Sequence, residues 1–93
     1  MIYTYVLLSE ADQELYTGTS RDLRLRVRQH AEGRVRSTVG RRPLALIYYE
    51  ACVHPSDAFR RERFLKTGKG KRVLRKRLGV FFAGLRPNKL ERH

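Results

Sequence analysis

Ninety-three residues with 41% apolar side chains suffice for one domain with a modest core and leave no room for a second. No run approaches the roughly eighteen apolar residues of a membrane span, Met1-Ile2-Tyr3 has no basic n-region to suggest a signal peptide, and the single cysteine, Cys52, excludes an internal disulfide or a multi-thiolate zinc site and suits a reducing cytosol. Twenty-one Lys and Arg against nine Asp and Glu leave a net charge of +12, which favours a polyanionic partner.

In chain order, Ile2 to Leu8 is rich in β-branched and aromatic residues and predicts a strand, with Tyr3, Tyr5 and Leu7 on one face. Ser9 to Glu14 is polar and turn-like, and Leu15 to Gly18 predicts a short second strand hairpinned to the first. Thr19 or Ser20 is the expected helix cap, with Asp22 in the first turn and Gly33 at the exit after about Glu32. Leu23, Val27, His30 and Ala31 share one face of that helix. Arg26 and Arg24 flank the face on its two edges.

A basic loop follows to Pro43, and Leu44 to Val53 predicts a third strand. Pro55, Ser56 and Asp57 signal a second helix, with Ala58, Glu62 and Leu65 on one face. Gly68 and Gly70 are expected to break it. Lys71 to Leu78 predicts a third, very basic helix carrying Val73, Leu74 and Leu78. Val80-Phe81-Phe82 is expected to pack back on the body, and residues from Arg86 read as a mobile tail. The charge is concentrated: Arg21 to Arg42 holds eight basic residues against Asp22 and Glu32, and Arg60 to Arg77 holds ten against Glu62 alone. Two such segments cost self-repulsion that a bound anion would relieve. Nucleic acid suits better than an acidic membrane, since no helix joins a basic face to a broad aromatic one.

Few residues stand out chemically. Tyr5 and Tyr16 lie on adjacent predicted strands, and strand tyrosines are commonly core or sheet surface. Gly18 beside them permits a close backbone approach or a sharp turn. Arg26 and His30 sit one helical turn apart and point to one place. A lone histidine on an apolar face is commonly a satisfied core residue, but an arginine at the edge of that face calls for an anion. Glu62 is a single carboxylate among Arg60, Arg61, Arg63 and Lys66. It pairs with Lys66 at i+4 or serves a hard cation, and spacing alone leaves both readings open. His54 and His93 give no sharp signal, and Gly68-Lys69-Gly70-Lys71 lacks the length of a phosphate-binding loop.

These residues together resemble the GIY-YIG nuclease superfamily, and in particular its small stand-alone bacterial members. Tyr3-Thr4-Tyr5 and Tyr16-Thr17-Gly18 are similar to the two signature triplets. Arg26, ten residues after Tyr16, matches the catalytic arginine, His30 a position held by His or Tyr, and Glu62 the metal-binding glutamate. Arg41-Arg42-Pro43, Ile47-Tyr48-Tyr49-Glu50 and Leu65-Lys66-Thr67-Gly68 resemble the small members further. Tyr3 and Thr4 replace the first Gly and Ile, and Thr17 the second Ile, at places that look structural. The match covers roughly Met1 to Leu78.

The resemblance implies an α+β fold, a small three-stranded antiparallel sheet flanked by helices, over a nuclease-like domain at 1–80 with a C-terminal tail at 81–93. It implies metal-dependent hydrolysis of a phosphodiester, and the expected activity is that of an endonuclease on DNA, on structured or damaged DNA in repair or recombination. Mg²⁺ or Mn²⁺ would sit at Glu62 and Arg26 would stabilise the phosphate. Tyr16 is the favoured base, with Tyr5 and His30 orienting the water, although the sequence does not separate the two tyrosines in that role. A free phenol has a pKa near 10, so either the surrounding charge lowers it or His30 takes the proton. Arg24, Arg41, Arg42 and Lys66 are the expected nucleic-acid contacts. A protein partner for targeting and a cytoplasmic location follow from the same reading. The alternatives are a non-catalytic nucleic-acid-binding module on the same fold and a ribosome-associated basic protein indifferent to Mg²⁺.

Overall fold

The computed structural model describes residues 1–85. The tail expected from Arg86 onward, with His93, lies outside them. The elements are β1 (Ile2–Ser9), β2 (Leu15–Ser20), α1 (Leu23–Ala31), a short 3-10 turn (Val39–Arg41), β3 (Leu44–Cys52), α2 (Pro55–Leu65), α3 (Gly68–Arg77) and α4 (Gly79–Ala83).

The three strands form one antiparallel sheet in the order β2-β1-β3, so β1 is central and β2 is an edge. The fold is α+β, as the resemblance implies. β1 is buried along nearly its whole length because both of its faces are covered. Val6 packs on one side with Leu65 of α2 and Leu74 of α3. On the other side Tyr5 faces His30 of α1. Alternation of side chains thus splits β1 between a helical core and a polar site.

Between Val6 and Leu7 the register with β3 slips: Val6 faces Tyr48 whereas Leu7 faces Leu46. The extra residue lets both Ile47 and Tyr48 pack against the Val6 core. Leu46 and Tyr49, opposite Leu7 and Tyr5, are left on the α1 side. Strict alternation would have put Ile47 beside Tyr49.

Several helix starts differ from the sequence expectation. β2 continues through Thr19 and Ser20, so neither caps α1. Asp22 does so, accepting a hydrogen bond from the Leu25 amide at 3.0 Å. Ala31, expected on the buried face, is exposed, and His30 is the buried residue of α1. His54 caps α2 through Nδ1, which accepts from the Ser56 amide at 3.1 Å. α2 does end ahead of the glycines, but Gly68 and Gly70 lie inside α3, whose cap is Thr67, so the break falls at Lys66 and Thr67. Gly70 is required there: a Cβ would lie 1.9 Å from the Phe64 carbonyl oxygen, so only glycine lets α3 cross α2 this closely. Val73 is 41% exposed, and Val80, expected to pack back on the body, is exposed too. Phe82 alone of its apolar triplet packs back in part, under the Arg75 guanidinium.

Candidate active site

The site is built around the free edge of β2. Tyr5 of β1 lies directly opposite Gly18 of β2, and its ring extends across the place where a side chain would stand. A Cβ on Gly18 would be 2.6 Å from the Tyr5 hydroxyl. The missing side chain is what allows a 1% exposed tyrosine to reach α1, where its hydroxyl meets His30 Nε2 at 2.8 Å. His30 is equally buried, and its Nδ1 lies 2.8 Å from Thr38 Oγ1.

Proton counting orders this chain. The Thr38 hydroxyl points its hydrogen at the Val35 carbonyl, a long contact of 3.5 Å. Nδ1–H of His30 then donates to Thr38 Oγ1, and Nε2 accepts from the Tyr5 hydroxyl. Burial, with the Arg26 charge adding to it, pulls the His30 pKa down to about 4, so the imidazole is neutral at pH 7. Burial also raises the Tyr5 pKa. The Arg26 guanidinium opposes that rise, and the Tyr16 and Glu62 side chains add to it. Tyr5 is therefore a neutral phenol whose proton is committed to His30.

Tyr16 completes the aromatic cluster. It is half-buried, with its ring 5.1 Å from His30 and 6.4 Å from Tyr5. Its hydroxyl has no hydrogen-bond partner among the described residues. Arg26, half-buried on α1, donates from Nη1 to Gln29 Oε1 at 3.2 Å and lies close enough to Tyr5 and His30 to bias both.

Glu62 reaches the same edge from the opposite face of the sheet. Thr19 follows Gly18 and turns toward α2, where its hydroxyl donates to Glu62 Oε1 at 3.2 Å. Oε2 pairs with Lys66 Nζ at 2.8 Å, and the carboxylate is only 20% exposed. Because β2 has no outer neighbour among the described residues, the two faces meet around it, and the structure brings Tyr5, Tyr16, Arg26, His30 and Glu62 into one neighbourhood. Among the described residues no group of three His, Cys, Asp or Glu could hold a metal by itself. One carboxylate with a hydroxyl beside it fits Mg²⁺ or Mn²⁺, which take oxygen ligands and fill their remaining positions with water and phosphate. Lys66 would have to release Oε2.

The four expected nucleic-acid contacts fare differently. Arg24 is exposed and has no hydrogen-bond or ionic partner among the described residues. Arg41 ties loops together, pairing with Asp12 at 3.0 Å and donating to the Leu15 carbonyl at 3.4 Å. Arg42 donates to the Val39 carbonyl and lies against Gly33, whose φ is +79°. Lys66 is the partner of Glu62. Sequence reasoning passed over Thr38 and took Thr19 for a cap. Thr38 lies in an irregular loop without periodicity, whereas alternation along β2, once the strand is seen to run through Thr19, sets Thr19 on the face opposite Tyr16 and Gly18, where Glu62 lies. It also assigned no contact to α3, whose Lys69, Lys71, Arg72, Lys76 and Arg77 have no acidic partner among the described residues.

A family model described as the GIY-YIG catalytic domain matches residues 1–76. The chain belongs to the GIY-YIG family. This is a nuclease family, which implies a nucleic-acid substrate, and its members generally use divalent metals. A UPF0213 protein of Pediococcus acidilactici is 40% identical over 76 residues, covering 78% of this chain and 76% of that one. A UPF0213 protein of Haloquadratum walsbyi is 39% identical over 67 residues, covering 70% and 75%. Another from Staphylococcus aureus is 38% identical over 66 residues, covering 70% and 80%. These relatives' names state no activity. No solved structure matches the chain significantly. Among the described residues no helix is long and apolar enough to cross a membrane.

Proposed function

We propose that this GIY-YIG protein is a divalent-metal-dependent endonuclease that hydrolyses DNA phosphodiester bonds, acting on structured or damaged DNA within residues 1–80. The observation that carries the reading is the meeting of a tyrosine–histidine cluster, Arg26 and a single carboxylate around the edge of β2.

Glu62, steadied by Thr19, would hold the cation, and a bound Mg²⁺ or Mn²⁺ supplies Lewis-acid stabilisation to a phosphate. Arg26 offers planar donors to the non-bridging oxygens as charge builds on them. The Tyr5 oxygen, with its own proton held by His30, presents lone pairs that orient the attacking water. Tyr16, whose hydroxyl has no partner among the described residues, accepts the water's proton while passing its own to solvent. The water oxygen bonds to phosphorus, the P–O bond to the leaving sugar breaks, and the leaving oxygen takes a proton from solvent. His30 suits the orienting role better than that of proton sink, because a group with a pKa near 4 takes up few protons at pH 7.

The Lys66–Glu62 ion pair favours a second reading, a nucleic-acid-binding module without catalysis, in which Glu62 only steadies α2. Labelled single-stranded, duplex, flapped and four-way DNA, incubated with and without Mg²⁺ or Mn²⁺ beside Glu62→Ala, separates the two. The nuclease reading expects metal-dependent cleavage that the substitution abolishes while binding stays or tightens. Binding without cleavage of any substrate would leave the module.

A further inference from the structure

An open groove of about 550 Å³ lies on the same sheet face as the aromatic cluster but on the other flank of α1. Arg26 and His30 turn toward Tyr5, whereas Leu23 and Val27 turn into the groove. The slipped register described above delivers its floor. It keeps both Leu46 and Tyr49 on this face, and α1 does not cover them: Leu46 is 39% and Tyr49 53% exposed. Tyr3 stands edge-on to Tyr49, with ring centroids 6.0 Å apart, and so fixes the orientation of the exposed ring. Arg21 and Arg24 rim the groove at the start of α1, and neither has an acidic partner among the described residues. Asp22 also lines it, with Oδ1 accepting from the Leu25 amide and its charge outnumbered by the two arginines.

We propose that this groove is a subsite for an unpaired nucleobase, stacked on Tyr49, with Arg21 and Arg24 holding the adjoining phosphates. The inference rests on the nucleic-acid reading and deepens it, since it names the substrate as a strand with at least one unstacked base. Three features carry it. A flat aromatic ring is exposed and held in place by a second ring. An apolar wall, Leu46 and Val27, lines the groove beside it. Two guanidinium groups with no acidic partner among the described residues lie at the mouth, in a chain whose charge of +12 favours a polyanion. Paired bases inside a duplex offer no face to such a ring, whereas a splayed base does. Tyr49 sits directly opposite Tyr5 in the β1–β3 pairing. The stacked base is thus about one strand spacing (~5 Å) plus a tyrosine's length from the Tyr5 hydroxyl. A strand passing from the β2 edge over the start of α1 would bring a base within a few nucleotides of the scissile phosphate into the groove.

The test uses the full chain in chelator, so that no cleavage intervenes, with a labelled oligothymidylate and a blunt duplex as probes. Tyr49→Ala should weaken binding of the single strand about tenfold, in line with the loss of one base–aromatic stack. Binding of the duplex should not change, and Tyr49→Phe should bind as the parent does. An oligonucleotide of abasic sugar-phosphates should be insensitive to Tyr49→Ala. Equal weakening for both probes, or none for the single strand, overturns the subsite. An unaltered circular dichroism spectrum and melting point check that the exposed position has not unfolded the chain. Because the readout is binding without metal, the subsite can fail while cleavage stands, and cleavage can fail while the subsite stands.

Discussion

Gly18→Ala tests the central packing argument. The added Cβ would lie 2.6 Å from the Tyr5 hydroxyl and 2.7 Å from the ring carbon that bears it, where ordinary contact begins at 3.4 Å. The phenol must therefore retreat by roughly 0.8 Å, or the edge strand must bend. Tyr5 has little freedom to retreat, being 1% exposed and bonded to His30 at 2.8 Å. Overpacking of this kind costs about 1–3 kcal/mol. For a domain of this size each 1 kcal/mol lowers Tm by about 4–8 °C, so a fall of at least about 4 °C is expected. Misplacement near 1 Å at a reacting centre costs about 10²-fold in rate, so cleavage should fall by about that factor while nucleic-acid affinity holds. Calorimetry and a single-turnover cleavage assay on the same preparation read both quantities. A variant that melts within 1 °C of the parent and cleaves within about threefold of it would refute the claim that the absent side chain admits Tyr5 to the site.

Other consequences follow from the same geometry. Arg26→Ala should lower the cleavage rate by about 10²–10³, as for removal of other charge-stabilising donors; an unchanged single-turnover rate would remove Arg26 from the mechanism. His30 is neutral in the fold because its pKa falls from 6.5 to about 4. Stability contributed by that neutrality is complete above pH 6.5 and is lost as pH falls toward 4, because the unfolded chain takes up the proton first. The loss amounts to at most about 3 kcal/mol. Urea unfolding midpoints at pH 7 and pH 4.5 should therefore differ more in the parent than in His30→Gln, and equal differences would contradict the burial argument. Neutralising two α3 cations by Arg72→Gln and Lys76→Gln should reduce the slope of log binding constant against log salt by up to about 2 on duplex DNA. A slope that does not move would place the phosphates elsewhere.

The reading that the sequence supported most securely concerned order along the chain. Alternation in Ile2 to Leu8, the helical spacing of Arg26 with His30, and the Pro55 start of α2 each depend on neighbours close in sequence, so local pattern was enough. The two tyrosine triplets and the downstream Glu62 likewise pointed to the family that the comparison over residues 1–76 establishes. Cap positions were less legible, because Thr19, Ser20 and Asp22 are all competent caps and only the pairing of β2 with β1 decides how far the strand runs. The basic residues were legible as a total but not one by one. Arg41 looks as free as Arg24 in the sequence, yet Asp12, 29 residues away, holds it at 3.0 Å.

Composition and periodicity thus determined that the chain is small and basic, with two short strands, a helix and a third strand in series. Only the tertiary structure decided that β2 is an edge, and that fact makes the site, since an outer strand would separate Glu62 from Tyr5. It also decided the slip between Val6 and Leu7, which no local pattern announces because Leu46-Ile47-Tyr48-Tyr49 is apolar throughout. A slip of one residue changes which side chains face the core. Here it sends Tyr48 inward and leaves Tyr49 on the surface beside α1.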